Sequence, residues 1–235
     1  TTLLELGCLG PLDDERALLV DTPSGPVRAH ATAASGRVRS VAIDMVPAFV
    51  APEARTVEVP GLGAVRLHLV CVGGWFAMVD VDELGRALDA PEEHPRLVEA
   101  GMRIIEAATE QLTIRHPTRD RPQTVDVAQF YRGAASAREG RSVVVYGESH
   151  LDRSPCGTGT TARMALLHHR GRLRVGDTYR GIGPLGTAFE GELRGETTVG
   201  DAPAVEVRIR AAAHLTGMHR FVVDADDPLG EGFLL

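Results

Sequence analysis

The stretch Asp152-Arg-Ser-Pro-Cys-Gly-Thr-Gly-Thr160 sets a thiol between a proline and a pair of glycines, and no other part of the chain is as chemically pointed. Ser154 can cap a helix, Pro155 suits a first helical position, and Thr161 to Arg170 continues in helix formers until Gly171, a natural stop. Cys156 is therefore expected on the first turn of a helix, against backbone N–H groups that have no helical partner. Those donors and the helix dipole favour thiolate over thiol, which makes a cysteine usable as a base or nucleophile at neutral pH. Gly157 and Gly159 leave room for a small anion, so a carboxylate could dock on the amides of Gly157 and Thr158 within reach of the sulfur. A packed structural cysteine is the commoner fate of a lone thiol. Cap, proline, thiol and paired glycines coinciding favour chemistry.

Composition narrows that chemistry. All 25 cationic side chains are arginine, and lysine is absent. A Schiff-base enzyme, including one carrying pyridoxal phosphate, cannot be built from these residues, and neither can a Walker phosphate loop. Cys8, Cys71 and Cys156 form a sparse, odd set without Cys-x-x-Cys spacing, which argues against a disulfide framework and a zinc site, so no metal is expected. The net charge of -7 disfavours nucleic acid. No apolar run reaches membrane-spanning length and the first residues lack a signal-peptide pattern, which reads as a cytoplasmic protein.

The elements that must position the thiol are mostly strands. Thr1 to Leu6 reads as the tail of a helix closed by Gly7. Strand patterns follow near Ala17–Asp21, Val27–Ala33, Val38–Ile43, Thr56–Val59, Ala64–Cys71 and Phe76–Val81. Pro91 to His116 carries apolar residues at helical spacing (Leu97, Met102, Ile105, Ala108, Leu112), which predicts one long amphipathic helix. Further strands are expected at Thr124–Tyr131, Ser142–Tyr146, Thr178–Tyr179, Thr187–Leu193 and Val205–Ala211, with a last one near Arg220–Asp224. The order predicts an α+β protein of two comparable layers, not a Rossmann sheet; Gly157-Thr-Gly159 alone is a weak dinucleotide signature.

The Asp152–Thr160 run, continued by Thr-Ala-Arg-Met-Ala165, resembles the second thiol motif of the proline racemase and hydroxyproline epimerase family. Asp21-Thr-Pro-Ser-Gly25, Val59-Pro-Gly-Leu-Gly63, Gly73-Gly-Trp-Phe-Ala77, Glu110-Gln-Leu112, His116-Pro117, Gly186-Thr-Ala-Phe189, Thr216-Gly-Met-His219 and Asp226-Asp-Pro228 fall in the family's order, each weak by itself. The resemblance implies a diaminopimelate epimerase-like fold of two pseudo-symmetric halves, mostly antiparallel strands each wrapped around a central helix. On that pattern residues 1–86 are the remainder of the first half, 87–211 the second half carrying Cys156, and 212–235 a segment returning to the first. The family's first thiol motif is not in the sequence; Cys8 lies at the wrong end of its helix and Cys71 in a strand. The chain therefore reads as incomplete for catalysis, with its first catalytic residue, Cys or Ser, expected upstream of Thr1.

The implied activity is cofactor-independent racemisation or epimerisation of proline or hydroxyproline. One cysteine removes the α-proton as thiolate while the other, on the opposite face, returns one as thiol. By resemblance Asp152 meets the substrate's cationic ring nitrogen, Tyr146 walls the pocket, and the enzyme is a homodimer. A turn carboxylate and a core aromatic are the structural alternatives for Asp152 and Tyr146. His168 and His169 read as complements to a helix C-terminus, and His150 is left out of the chemistry. Dehydration of trans-3-hydroxyproline is the lyase alternative, in branches where threonine replaces the second thiol. A ligand-binding fragment without turnover is another. A cysteine hydrolase is remote, since no histidine is placed to serve Cys156.

Overall fold

Strands dominate the computed structural model, which describes residues 1–22, 25–132 and 138–232. A short helix α1 (Thr2–Glu5) stops at Gly7, whose φ of 70° is left-handed. Strands β1 (Glu15–Thr22), β2 (Gly25–Ala34) and β3 (Arg37–Asp44) follow as an antiparallel meander. Next come β4 (Ala48–Val50), β5 (Arg55–Val59), β6 (Gly63–Val72) and β7 (Gly74–Asp80). Helix α2 (His94–Gln111) precedes a small hairpin of β8 (Ile114–His116) and β9 (Arg119–Gln123). Strands β10 (Val127–Tyr131), β11 (Glu139–Tyr146) and β12 (His150–Leu151) lead into helix α3 (Gly157–His169). Strands β13 (Thr178–Ile182), β14 (Ala188–Val199) and β15 (Ala202–Ala211) complete the sheet.

Eight of these strands close on themselves. In the order β15-β14-β13-β11-β10-β7-β6-β4 each is bonded to the next, and β4 returns to β15 through the pairs Ala204–Phe49 and Val205–Ala48. Every strand of the ring sends a side chain inward to the core that contains α3: Ala48, Val70, Met78, Tyr131, Val144, Tyr179, Leu193 and Val207 pack with Ala162, Met164, Leu166 and Leu167. Helix α3 is thus buried on all sides from Gly159 to Leu167 and shows no polar face. Strands between two packed layers bury both faces, which is why β6, β7 and β11 read as continuous apolar runs.

Helix α2 lies outside the ring, on outward residues of its strands and on β5. Leu97, Ala100, Ile104, Ala107 and Ala108 join Val57, Phe130, Val143 and Val145 in a second core. Strands on both sides of residue 86 belong to the one ring, while β1 to β3 extend it from β15 through Arg208–Ala211. A small third core of Leu4, Ala31 and Val38 fixes α1 there.

The α+β class with mostly strands is as expected. Three local expectations need correction. The helix predicted over Pro91–His116 is a 3₁₀ turn (Pro91–Glu93) followed by α2, and it ends at Gln111 because Leu112 turns extended (φ -107°, ψ 134°) into β8. Its inner stripe is Leu97, Ala100, Gly101, Ile104, Ala107 and Ala108, while Met102 and Ile105 are only half-buried. Residues 220–224 form no strand: Phe221, Val222 and Val223 stand exposed without a partner strand among the described residues. Pro23 and Ser24 of the Asp21–Gly25 motif lie outside the described residues. Among the described residues no helix is long and apolar enough to cross a membrane.

Candidate active site

Three successive side chains, each bonded to the backbone just ahead of it, build the turn into α3. Asp152 Oδ1 accepts from the Ser154 N–H at 2.8 Å, Ser154 Oγ from the Cys156 N–H at 3.0 Å, and Cys156 Sγ from the Gly159 N–H at 3.2 Å. The cap is therefore Cys156 itself and not Ser154, and Pro155 precedes the helix instead of starting it. The difference has a local cause. Cys156 adopts φ 59°, ψ 114°, a left-handed conformation that a non-glycine residue holds only when its surroundings impose it. Gly183, in the turn after β13, lies close against this segment: a side chain there would start 2.8–2.9 Å from the backbone of Ser154 and Pro155.

The first amides of α3, those of Gly157 and Thr158, have no hydrogen-bond partner among the described residues, and both residues are partly exposed. Cys156 retains 9% of its surface. Sulfur and free amides thus share one mouth of the barrel. The Thr158 hydroxyl lies 3.4 Å from the sulfur. Val144, inside the ring, touches the Gly159 position, and Tyr146 follows two residues on along the same strand face, so it stands at that mouth, 42% exposed, its ring 5.7 Å from His150.

Electrostatics differ from the sequence expectation. Burial pushes the Cys156 thiol up to about 11; the Thr158 and Gly159 hydrogen bonds pull it down but do not offset desolvation, and the Asp152 carboxylate adds to the rise. A pKa near 11 favours the thiol form at neutral pH. Pattern reading counted the helix amides and could not count the barrel wall around them.

The remaining candidates separate cleanly. Cys71 lies in the outer core, on the opposite face of the sheet from Cys156, its thiol pushed up to about 12 by burial. Cys8 is exposed beyond α1. His168 sits late in α3, with Nδ1 2.9 Å from the Leu173 carbonyl oxygen and Nε2 3.3 Å from Glu196 Oε1, far along the helix from Cys156. No group of three or more His, Cys, Asp or Glu side chains among the described residues could hold a metal ion.

Sequence reasoning missed two neighbours. Arg163, one turn beyond Gly159, is 3% exposed inside the barrel with its guanidinium 4.0 Å from the Tyr131 ring centre. Its signal was a lone charge in an otherwise small and apolar helix. Met45, in the link between β3 and β4, puts its methyl 3.8 Å from where a side chain on Gly157 would begin. Nothing in its sequence context marks it.

A strand ring closed around a helix is the α+β architecture of the diaminopimelate epimerase-like fold. The chain belongs to the proline racemase family, whose model, described as "Proline racemase", matches residues 1–234. It is 35% identical over 236 residues to a proline racemase of Clostridioides difficile, which covers 100% of this chain and 70% of that protein. It is 36% identical over 235 residues to a 4-hydroxyproline 2-epimerase of Streptosporangium roseum, again over 100% of this chain and 70% of the relative. A solved hydroxyproline epimerase from Agrobacterium vitis, with trans-4-hydroxy-L-proline bound, superposes with a TM-score of 0.90 at 34% identity, covering 100% of this chain and 67% of that one.

Proposed function

We propose that the protein is a cofactor-independent racemase or epimerase of proline or hydroxyproline, with Cys156 as one of two acid/base groups acting at the substrate's α-carbon. The observation that carries this reading is the juxtaposition of a capping thiol with two unpartnered helix amides at a barrel mouth. The amides of Gly157 and Thr158 take the substrate carboxylate, and the charge that develops beside it as the α-proton leaves falls on preorganised donors. Asp152 takes the cationic ring nitrogen, and Tyr146 closes the side of the pocket.

The raised thiol suits one half of this reaction. Cys156 enters as the acid and delivers its proton to the carbanion on one face, as a second group on the other face removes the original one. Substrate binding also prepares the reverse direction. A cation seated on Asp152 offsets that carboxylate's contribution to the rise, the smaller part beside burial. Among the described residues no other thiol shares the core of Cys156. Retention of Cys156 supports isomerisation over dehydration. A homodimer in the cytoplasm completes the reading.

The test is wash-in of deuterium at the α-carbon of L-proline and trans-4-hydroxy-L-proline by the full-length protein in D₂O. Exchange with inversion is expected. Binding of pyrrole-2-carboxylate, a flat mimic of the deprotonated substrate, without any exchange would replace catalysis by ligand binding, and a cyclic imine product would replace it by dehydration.

A further inference from the structure

Met45 is held where it is by both of its neighbouring strands. Its N–H donates to the Val207 carbonyl of β15 at 2.9 Å. The preceding residue, Asp44, is clamped by Arg208 Nε at 2.5 Å and paired with His30 Nε2 at 3.0 Å. These bonds tie the end of β3 to the barrel, so the chain cannot swing away as it leaves β3. The side chain that follows is half-buried, packs on the inner core that includes Cys156, and ends beside Gly157.

That methyl stands 3.8 Å from where a Gly157 side chain would begin, beside the amide proposed to take the substrate carboxylate, so it borders the space left for the ring. A thioether donates no hydrogen bond and accepts only weakly. A ring hydroxyl turned toward it exchanges water for a surface that returns nothing, whereas an unsubstituted methylene loses nothing. We infer that Met45 is a specificity-determining residue of this site, an apolar wall that favours unsubstituted proline over its ring-hydroxylated forms. The inference rests on the imino-acid reading above and deepens it. An apolar wall rejects an added hydroxyl by at most about 100-fold, so the preference is a ratio and not an exclusion.

The experiment compares kcat/KM for L-proline and trans-4-hydroxy-L-proline in full-length wild type, Met45→Gln, Met45→Asn and Met45→Leu. Wild type is expected to favour proline. The two amide variants are expected to shift the ratio toward the hydroxylated substrate about tenfold, and the leucine variant to leave it within about twofold. Pyrrole-2-carboxylate carries no ring substituent, so its retained binding in all variants reports an intact site; two polar variants guard against one that misfolds. A ratio unchanged in every amide variant that turns over, or a wild type that prefers the hydroxylated substrate, overturns the wall. Absence of exchange with either substrate in wild type overturns the isomerase reading itself, and the wall with it, and is a distinct result.

Discussion

The Sγ of Cys156 lies 3.2 Å from the amide nitrogen of Gly159, in the place where a helix ordinarily carries a serine or aspartate oxygen. A sulfur cap is a weak acceptor as a thiol and a strong one as a thiolate. The hydrogen bond that finishes the helix therefore tightens when the proton leaves, which couples the helix start to the protonation state of the reacting group.

Replacing Cys156 with serine keeps a cap and removes the acid/base group. Cys156→Ser is expected to fold normally and to lose about 10²- to 10⁴-fold in α-deuterium exchange, the usual worth of a general acid or base. Exchange and thermal unfolding measured on the same preparation check both halves.

Alkylation by iodoacetamide reports the thiol's ionisation. With its pKa near 11, only about one sulfur in 10⁴ is thiolate at pH 7, so labelling at position 156 is expected to be slow there and to rise roughly tenfold per pH unit up to about pH 11. Exposed Cys8 is expected to label first at neutral pH. The same shift acts on stability. The folded thiol titrates above the reference value of 9.0, so its contribution is fully present below pH 9 and is lost as pH rises through 11. Urea unfolding of wild type and Cys156→Ala should converge across that window.

Asp152→Asn is expected to speed alkylation of Cys156 while weakening substrate binding. The amide keeps the acceptor for the Ser154 N–H, so the turn persists. Removal of the negative charge lowers the thiol's pKa and speeds alkylation of Cys156 at fixed pH by several-fold. Loss of the partner for the ring cation raises KM by about tenfold or more. A purely structural role for Asp152 would leave KM alone.

Gly183→Ala tests the close approach of the turn after β13 to the Ser154–Pro155 backbone. The new methyl meets backbone atoms that have nowhere to go, so the substitution is expected to cost about 1–3 kcal/mol of stability by urea unfolding. It should also slow exchange beyond what the unfolded fraction explains, because the displaced turn carries the sulfur.

Much of this site was legible because its parts are adjacent in sequence. Asp152, Cys156, Gly157 and Thr158 fall on one turn, and the motif marks that turn without reference to anything else. Eleven of the strands were legible too, since alternating and β-branched runs between glycines need no tertiary knowledge, whereas β4, β8, β9 and β12 were missed and 220–224 forms none. What escaped depends on distant packing. The cap falls on Cys156 and not Ser154, and the thiol's pKa goes up instead of down because eight strands enclose the helix. The seam that closes them is two residue pairs between β4 and β15, too short to leave a pattern. Met45 escaped for a related reason: its position comes from Val207 and Arg208, both remote in sequence.

That seam also sets an order of events for the growing polypeptide. It joins Ala48 and Phe49, near the front of the ring's sequence, to Ala204 and Val205 in its last strand. A nascent chain that has already synthesised Cys156 still lacks the staves that would enclose it, and long-range closures of this kind form slowly. The burial that raises the thiol's pKa therefore arises only once β13 to β15 have joined the ring.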